Sequence, residues 1–156
     1  IDKTNELKNL PLNSSLRGIN EYKGKLYVLT DDDKIYTTAD GYNWMTENVV
    51  VSDVNYRFEN FLLELDGKLW SIMKSGVDNT YSFATSSDGR NWVVNEKIPA
   101  NFPVGDFSSL SFASRTKKSK ALIVGGYTAS GKLLNNIWNF LLIYYYIISK
   151  FANARS

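Results

Sequence analysis

The chain has 156 residues, of which 44% are hydrophobic and 22% are charged, with 18 basic and 16 acidic side chains. This composition permits one domain with a real core, and it excludes a disordered, a collagen-like or a polytopic membrane protein. The net charge of only +2 gives no argument for nucleic acid as a partner.

The sequence contains neither cysteine nor histidine. Disulfides, thiolate metal sites, cysteine nucleophiles and Ser-His-Asp triads are therefore excluded, and the commonest metal ligand is missing. We expect no cofactor and no metal ion. The strongly apolar segment over residues 140–151 is too short to span a bilayer as a helix, so no membrane span is predicted.

In chain order, residues 7–11 resemble residues 95–99 and are predicted to form a strand of a preceding or closing unit. Four short strands are predicted within residues 13–50 (16–22, 25–30, 34–38 and 44–50), and four more within residues 57–97 (57–65, 68–74, 81–85 and 92–97). Lys23-Gly24 and Asp66-Gly67 separate the first two strands of each set. Asp-Gly is favoured in two-residue hairpins because both central positions need positive φ.

These two sets are copies of one unit. Residues 22–29 (YKGKLYVL) recur as residues 65–72 (LDGKLWSI), and residues 38–44 (TADGYNW) recur as residues 86–92 (SSDGRNW). A weaker third copy covers residues 109–138. Four antiparallel strands in roughly 40–50 residues, repeated, are typical of a β-propeller blade. We therefore predict an all-β fold of about three four-stranded antiparallel blades, a partial propeller, over residues 1–138.

The repeated Asp-Gly motif has a structural interpretation. Its Asp can accept backbone N–H groups across its own turn, its Gly permits positive φ, its Ser or Thr hydroxyl can bind the entry of the turn, and its Trp can pack between sheets. We prefer this role to catalysis or metal binding because turn chemistry accounts for every residue type. The residues assigned to it are Thr38, Asp40, Gly41, Trp44, Ser86, Asp88, Gly89 and Trp92.

Residues 38–44 and 86–92 resemble the Asp-box of sialidase-type propellers, in a variant with Asp and Gly adjacent. Residues 121–126 with the downstream Trp138 resemble a kelch repeat. Together they resemble a fragment of the galactose-oxidase-like propeller domains of uncharacterised bacterial exported proteins. The resemblance implies an exported location (periplasmic, cell-surface or secreted), and a chain that starts at Ile1 agrees with a removed leader. It implies no activity, because the arginine context of sialidases and the copper ligands of galactose oxidase are missing.

In a propeller blade, the loops between the second and third strands share one face with the blade-to-blade connections. Variable loops on a rigid scaffold are where binding usually resides. The candidate binding residues on this loop face are Asp31, Asp33, Asn55, Tyr56, Asp78, Asn79, Phe102 and Tyr127. We predict a non-catalytic binding or scaffold module for a glycan or a protein. The alternative is a glycoside hydrolase or lyase that uses two carboxylates of this face; no catalytic residue is assigned.

The repeat stops after the third copy. An Asp-Gly turn is due near residue 140, but residues 140–146 are FLLIYYY. Residues 139–156 are therefore predicted to be an atypical apolar tail, either supplied by an interruption of a longer propeller or serving as a terminal cap. Two chains joined head to tail would close a ring, with the strand at 7–11 of one completing the last blade of the other. The competing expectation is an open monomer whose edge the tail covers.

Overall fold

A computed structural model describes residues 8–9, 13–113 and 119–139. The chain divides into two compact units, Ile1–Lys97 and Ile98–Ser156. The described residues form strands and turns with no helix that could cross a bilayer. The twelve strands are β1 (Leu16–Tyr22), β2 (Lys25–Thr30), β3 (Ile35–Thr38), β4 (Met45–Thr46), β5 (Val50–Val51), β6 (Tyr56–Leu65), β7 (Lys68–Ser75), β8 (Tyr81–Ser86), β9 (Asn91–Lys97), β10 (Gly105–Ala113), β11 (Ser119–Tyr127) and β12 (Ile137–Asn139).

The first unit contains two sheets built on the same plan. Strands β1-β2-β3-β4 form one antiparallel meander, and β6-β7-β8-β9 form the next. Each begins with a two-residue hairpin turn in which both residues have positive φ: 50° and 76° at Lys23-Gly24, and 52° and 73° at Asp66-Gly67. This is the turn whose twist matches that of the flanking strands, and it fixes the register of both sheets.

The predicted fourth strand over residues 44–50 was wrong in its extent. Strand β4 ends at Thr46, and β5 leaves the first sheet to pair in parallel with β9 on the outer edge of the second. Backbone bonds from Val50 N–H to Arg90 O (2.9 Å) and from Ser52 N–H to Trp92 O (2.8 Å) hold it there. An edge strand with unpaired backbone groups is thereby covered by the chain of the preceding blade.

Lys8 makes the same arrangement on the first sheet. It forms a parallel bridge to Asn43, and its backbone N–H donates to Tyr42 O at 2.9 Å. Lys8 therefore occupies the position that Val50 occupies one blade later. The rest of the predicted strand at 7–11, apart from Asn9, lies outside the described residues.

Two contacts bring the sheets of the first unit together. Strand β1 packs against β6, and Gly18 is required there, because a Cβ at this position would lie 2.7 Å from Leu62 N. The hydroxyl of Tyr22 lies 2.8 Å from Gly67 O and 2.7 Å from Ser87 O, and these two carbonyls of the second sheet share its single proton. The core between the sheets consists of Tyr22, Tyr27, Leu29, Ile35, Phe58, Leu62, Leu69, Met73, Ala84 and Trp92.

A buried carboxylate adds a third contact. Glu47, with a side chain only 5% exposed, accepts a hydrogen bond from Thr37 Oγ1 at 2.9 Å and one from Arg90 Nε at 2.6 Å. Thr37 belongs to the first sheet, whereas Arg90 belongs to the Asp-Gly turn of the second. The ion pair therefore joins the end of one blade to the turn of the next.

The second unit contains the antiparallel sheet β10-β11-β12. Its first strand begins at Gly105, four residues before the predicted third copy. The position of a fourth strand, and the predicted tail apart from Asn139, lie outside the described residues. The prediction of an all-β fold of antiparallel propeller blades is confirmed, with four strands in each meander of the first unit and three strands described in the second.

Candidate functional site

A cavity of about 290 Å³ opens in the first unit, where the β2–β3 loop meets the β7–β8 loop. Strands β1 and β6 and the end of β7 also contribute lining residues. Its lining residues are mostly charged or polar: Arg17, Asp31, Asp33, Arg57, Phe58, Glu59, Lys74, Ser75, Gly76 and Asn79. Six of the ten carry charge, three of each sign, so the cavity has strong local fields but little net charge.

The loops around the cavity are built on a shared turn that also occurs in the second unit. In each loop the first residue is a Ser or Thr. The backbone N–H of this residue donates to the carbonyl of the residue that ends the loop, and its carbonyl accepts the N–H of a residue with left-handed backbone. The initiating residues are Thr30, Ser75 and Thr128. The left-handed residues are Asp33 (φ 61°), Asn79 (φ 57°) and Gly131 (φ 80°).

Asp33 holds the most unusual carboxylate of the cavity. Its side chain is only 29% exposed, and its nearest ion-pair partner, Arg57 Nη1, lies 3.7 Å from Oδ2. Burial raises the pKa of the Asp33 carboxyl, and the neighbouring charges of Arg17 and Arg57 offset that rise only in part. The distance to Arg57 is too long for a direct hydrogen bond, so this carboxylate keeps acceptor capacity.

Arg17 is fixed by the backbone of the next blade. Its Nη1 donates to Phe58 O at 3.0 Å and to Glu59 O at 2.9 Å, which places a guanidinium at the inner wall of the cavity. Arg57, in contrast, is 77% exposed, and within the described part of the chain its side chain makes only the long contact to Asp33. Lys74 extends over the ring of Tyr81, with its Nζ 5.5 Å from the ring centroid.

Three further polar side chains of the cavity have no partner within the described part of the chain. The carboxylates of Asp31 and Glu59 and the side-chain amide of Asn79 make no hydrogen bond and no ion pair there. Glu59 is partly buried, and the other two are exposed. Polar groups that converge on a concave surface without satisfying one another are what a binding site for a polar ligand requires.

The predicted binding residues separate into two groups in the structure. Asp31, Asp33 and Asn79 line the cavity. Asn55 lies beside it, since its carbonyl accepts the backbone N–H of Gly76 at 2.8 Å. Asp78 points elsewhere: it accepts from Thr80 at 2.8 Å and pairs with Lys97 Nζ at 3.1 Å, and these bonds hold its pKa well below its usual range.

The remaining predicted binding residues do not line the cavity. Tyr56 opens β6, and its hydroxyl lies 3.4 Å from Ser82 Oγ. Phe102 is fully buried in the second unit and packs edge-on against Trp138, with ring centroids 5.5 Å apart. Tyr127 is half-buried in the same unit, with its backbone carbonyl bound by Val104 N–H at 2.8 Å. Phe102 has no surface to offer a ligand, so its assignment to the binding face is corrected to a core position.

Sequence reasoning missed the cationic half of the cavity, namely Arg17, Arg57 and Lys74, together with Glu59. The positions of these residues along the predicted strands could have indicated them. Arg17 and Arg57 lie near the start of the first strand of their blades, and Lys74 near the end of the second strand. In an antiparallel meander these positions share one end of the sheet with the β2–β3 type of loop.

The two Asp-Gly turns lie at the other end of the sheets and have almost identical networks. In the first, Thr38 Oγ1 accepts from Gly41 N–H at 3.0 Å, and Asp40 Oδ1 accepts from the backbone N–H groups of Tyr42 and Asn43, each at 2.8 Å. The indole of Trp44 donates to Gly41 O at 3.2 Å.

The second turn repeats these bonds with Ser86, Asp88, Gly89 and Trp92. In both turns the backbone N–H of the following Asn, at 43 or 91, is the largest cause that holds the pKa of the Asp well below its usual range. The turns thus use their carboxylates internally. No group of three acidic side chains that could hold a metal occurs among the described residues.

The comparisons with known proteins agree with this architecture. A family model described as the DUF6242 beta propeller domain matches residues 3–146, which is most of the chain. No curated protein and no solved structure matches it.

Proposed function

We propose that this chain, which belongs to the family of the DUF6242 beta propeller domain, is a non-catalytic binding module that takes a glycan or protein ligand in the cavity between its first two blades. The observation that carries the proposal is the convergence on one cavity of three polar side chains, Asp31, Glu59 and Asn79, that have no partner among the described residues. Glu59 projects from strand β6, and Asp31 and Asn79 belong to loops that vary between the blades.

The chemistry of the walls favours a neutral carbohydrate. A strongly charged ligand would meet like charge on one half of the lining, whatever its sign, whereas a sugar hydroxyl both donates and accepts. It can donate to Asp31 or Glu59 while it accepts from Arg57 or Lys74. The volume of about 290 Å³ lies at the lower end of small-molecule pockets and suits a single sugar ring.

We assign the two Asp-Gly turns to the scaffold, as Asp-boxes of a variant spacing. Their support is that both carboxylate oxygens of Asp40 and of Asp88 accept hydrogen bonds from groups of their own turns, which is the role of a turn-closing side chain. The exported location and the likeness to kelch-type propellers also belong to this proposal and rest on the sequence motifs.

The test is binding to an array of neutral oligosaccharides, followed by calorimetry on the strongest glycan. Glu59→Gln removes an unpartnered cavity carboxylate while keeping the side-chain shape, and it should weaken binding at least tenfold, about 1.4 kcal/mol. Glu96→Gln makes the same chemical change at an exposed residue of β9, away from the cavity, and should leave glycan binding unchanged. If no glycan binds, or if both variants bind like the wild type, the assignment of the cavity as a glycan site fails.

A second function has one observation in its favour. The raised pKa of Asp33, in a cavity with two further carboxylates, is the arrangement that a glycosidase uses for its general acid. Incubation of the bound glycan with the protein separates the two functions. If the protein hydrolyses the glycan, and if both Glu59→Gln and Asp33→Asn abolish that hydrolysis, the protein is an enzyme and not a binding module. If the glycan stays intact over many hours, the protein does not hydrolyse that glycan.

A further inference from the structure

The β2–β3 loop holds a residue that local energetics disfavour at its position. The turn needs a left-handed residue, which is Gly131 in the second unit and Asn79 in the β7–β8 loop. The β2–β3 loop instead has Asp33, with φ at 61°. Asp and Asn tolerate this region better than other residues with a Cβ, but glycine adopts it at a lower cost than either. Replacement by glycine would keep the turn, because its hydrogen bonds come from the backbone and from Thr30.

The side chain of Asp33 adds a second cost. It is removed from about two thirds of its solvent contact, and the compensating ion pair to Arg57 is long, at 3.7 Å. Desolvation outweighs both neighbouring arginines in its effect on the pKa of this carboxyl. By comparison, Asp32 of the same loop is well paired, with Lys34 Nζ and Thr30 Oγ1 each 2.6 Å from its carboxylate.

Strain and poor solvation that coincide at a cavity are typical of residues kept for function rather than for stability. We propose that Asp33 is the anchoring residue of the cavity and that its two carboxylate oxygens accept hydrogen bonds from two adjacent hydroxyls of a sugar ring. Arg57 faces Asp33 across the mouth of the cavity and donates to an oxygen of the same ring. This inference rests on the proposed glycan site and names the side chain that selects its ligand.

The inference makes two separate demands on the variant Asp33→Gly. Its melting temperature should rise by about 2–4 °C, since both costs disappear while the turn remains. Its affinity for vicinal diols should fall at least tenfold. The probes are the methyl glycosides of mannose, galactose and glucose, which present adjacent hydroxyls in different relative orientations.

Asp66→Gly is the matched control. Asp66 has nearly the same backbone conformation, with φ at 52°, but it lies exposed in the β6–β7 turn, outside the cavity. The Asp66→Gly variant should gain only the stability that comes from relief of backbone strain, and it should bind the glycosides like the wild type. If the wild type binds none of the glycosides, the glycan site itself fails. If the wild type binds them but Asp33→Gly binds equally well or is less stable, the anchoring role of Asp33 is wrong.

Discussion

Gly41 and Gly89 offer a direct measurement of how tightly the blades of the first unit pack. Both occupy the same position of an Asp-Gly turn, both have φ at 80°, and both accept an indole N–H through their carbonyl. They differ in their surroundings. A Cβ at Gly41 would meet nothing within 4 Å, whereas one at Gly89 would collide with the ring of Tyr27, lying only 2.9 Å from its Cζ.

Gly41→Ala should therefore cost only the backbone strain of a left-handed alanine, about 1–2 kcal/mol. Gly89→Ala adds the displacement of Tyr27, a core side chain that is 5% exposed. Overpacking of this kind costs about 1–3 kcal/mol, so the total should reach about 2–5 kcal/mol. Urea unfolding followed by tryptophan fluorescence measures both free energies, because Trp44 and Trp92 are buried beside the two turns.

A protein that carries Tyr27→Leu separates the contribution of the Tyr27 ring from that of the turn. In a Tyr27→Leu protein the additional cost of Gly89→Ala should fall toward the cost of Gly41→Ala, which gives a coupling energy between positions 27 and 89. Equal destabilisation by the two glycine substitutions in the wild-type background would refute the reasoning. So would an unchanged difference between them after the ring is removed.

Three other substitutions test the contacts between the blades and the turns. Gly18→Ala should lower stability by about 2–3 kcal/mol in thermal unfolding, because its Cβ would meet the backbone of β6, which cannot rotate away; a neutral result would contradict the close approach. Tyr22→Phe should lower the urea midpoint by the equivalent of about 1–2 kcal/mol, since two carbonyls of the second sheet lose their donor. The depressed pKa of Asp88 means that its ionised form stabilises the fold above about pH 4 and that this contribution declines as the pH falls further. Asp88→Asn should therefore show a weaker loss of stability between pH 4 and pH 2 than the wild type, and an identical acid profile would contradict the assignment.

The elements that the sequence predicted well are those specified by their own residues. An Asp-Gly pair between two apolar strands, such as Asp66-Gly67, specifies a hairpin turn. In the seven-residue motif around Asp40, the hydrogen bonds form between groups of the motif itself. Both structures need no information from distant parts of the chain. The hairpins and the repeat could therefore be predicted from short stretches of sequence.

The elements that it did not predict depend on distant partners. Val50 and Val51 continue the apolar pattern of β4, and only the carbonyls of Arg90 and Trp92, on another sheet, draw them away. Phe102 lies between Pro99 and Gly105 in a stretch that has the composition of a loop, yet it is fully buried. A pattern of residue types cannot distinguish an aromatic side chain that meets a core from one that meets a ligand.

The position of the lining residues explains why the sequence pointed to only some of the side chains of the cavity. Asp31 and Asp33 lie on a loop whose length and sequence differ between the copies, whereas Arg17, Arg57 and Glu59 lie on strands and have the pattern of ordinary strand residues. Arg17 acquires its role only because β1 packs on β6, so that the carbonyls of Phe58 and Glu59 come within reach. That approach depends in turn on Gly18, whose significance is invisible without the neighbouring blade.

The shared loop turn accepts different residues at its left-handed position without a change of fold. The bonds that close each loop come from the backbone and from the initiating residue, Thr30, Ser75 or Thr128. The left-handed position contributes a backbone N–H but no side-chain bond to the turn, so Asp, Asn and Gly can all occupy it. A substitution at this position therefore leaves the turn intact, and its cost is limited to the backbone conformation of one residue. The Asp-Gly turns have no such freedom, because there the side chain itself closes the turn.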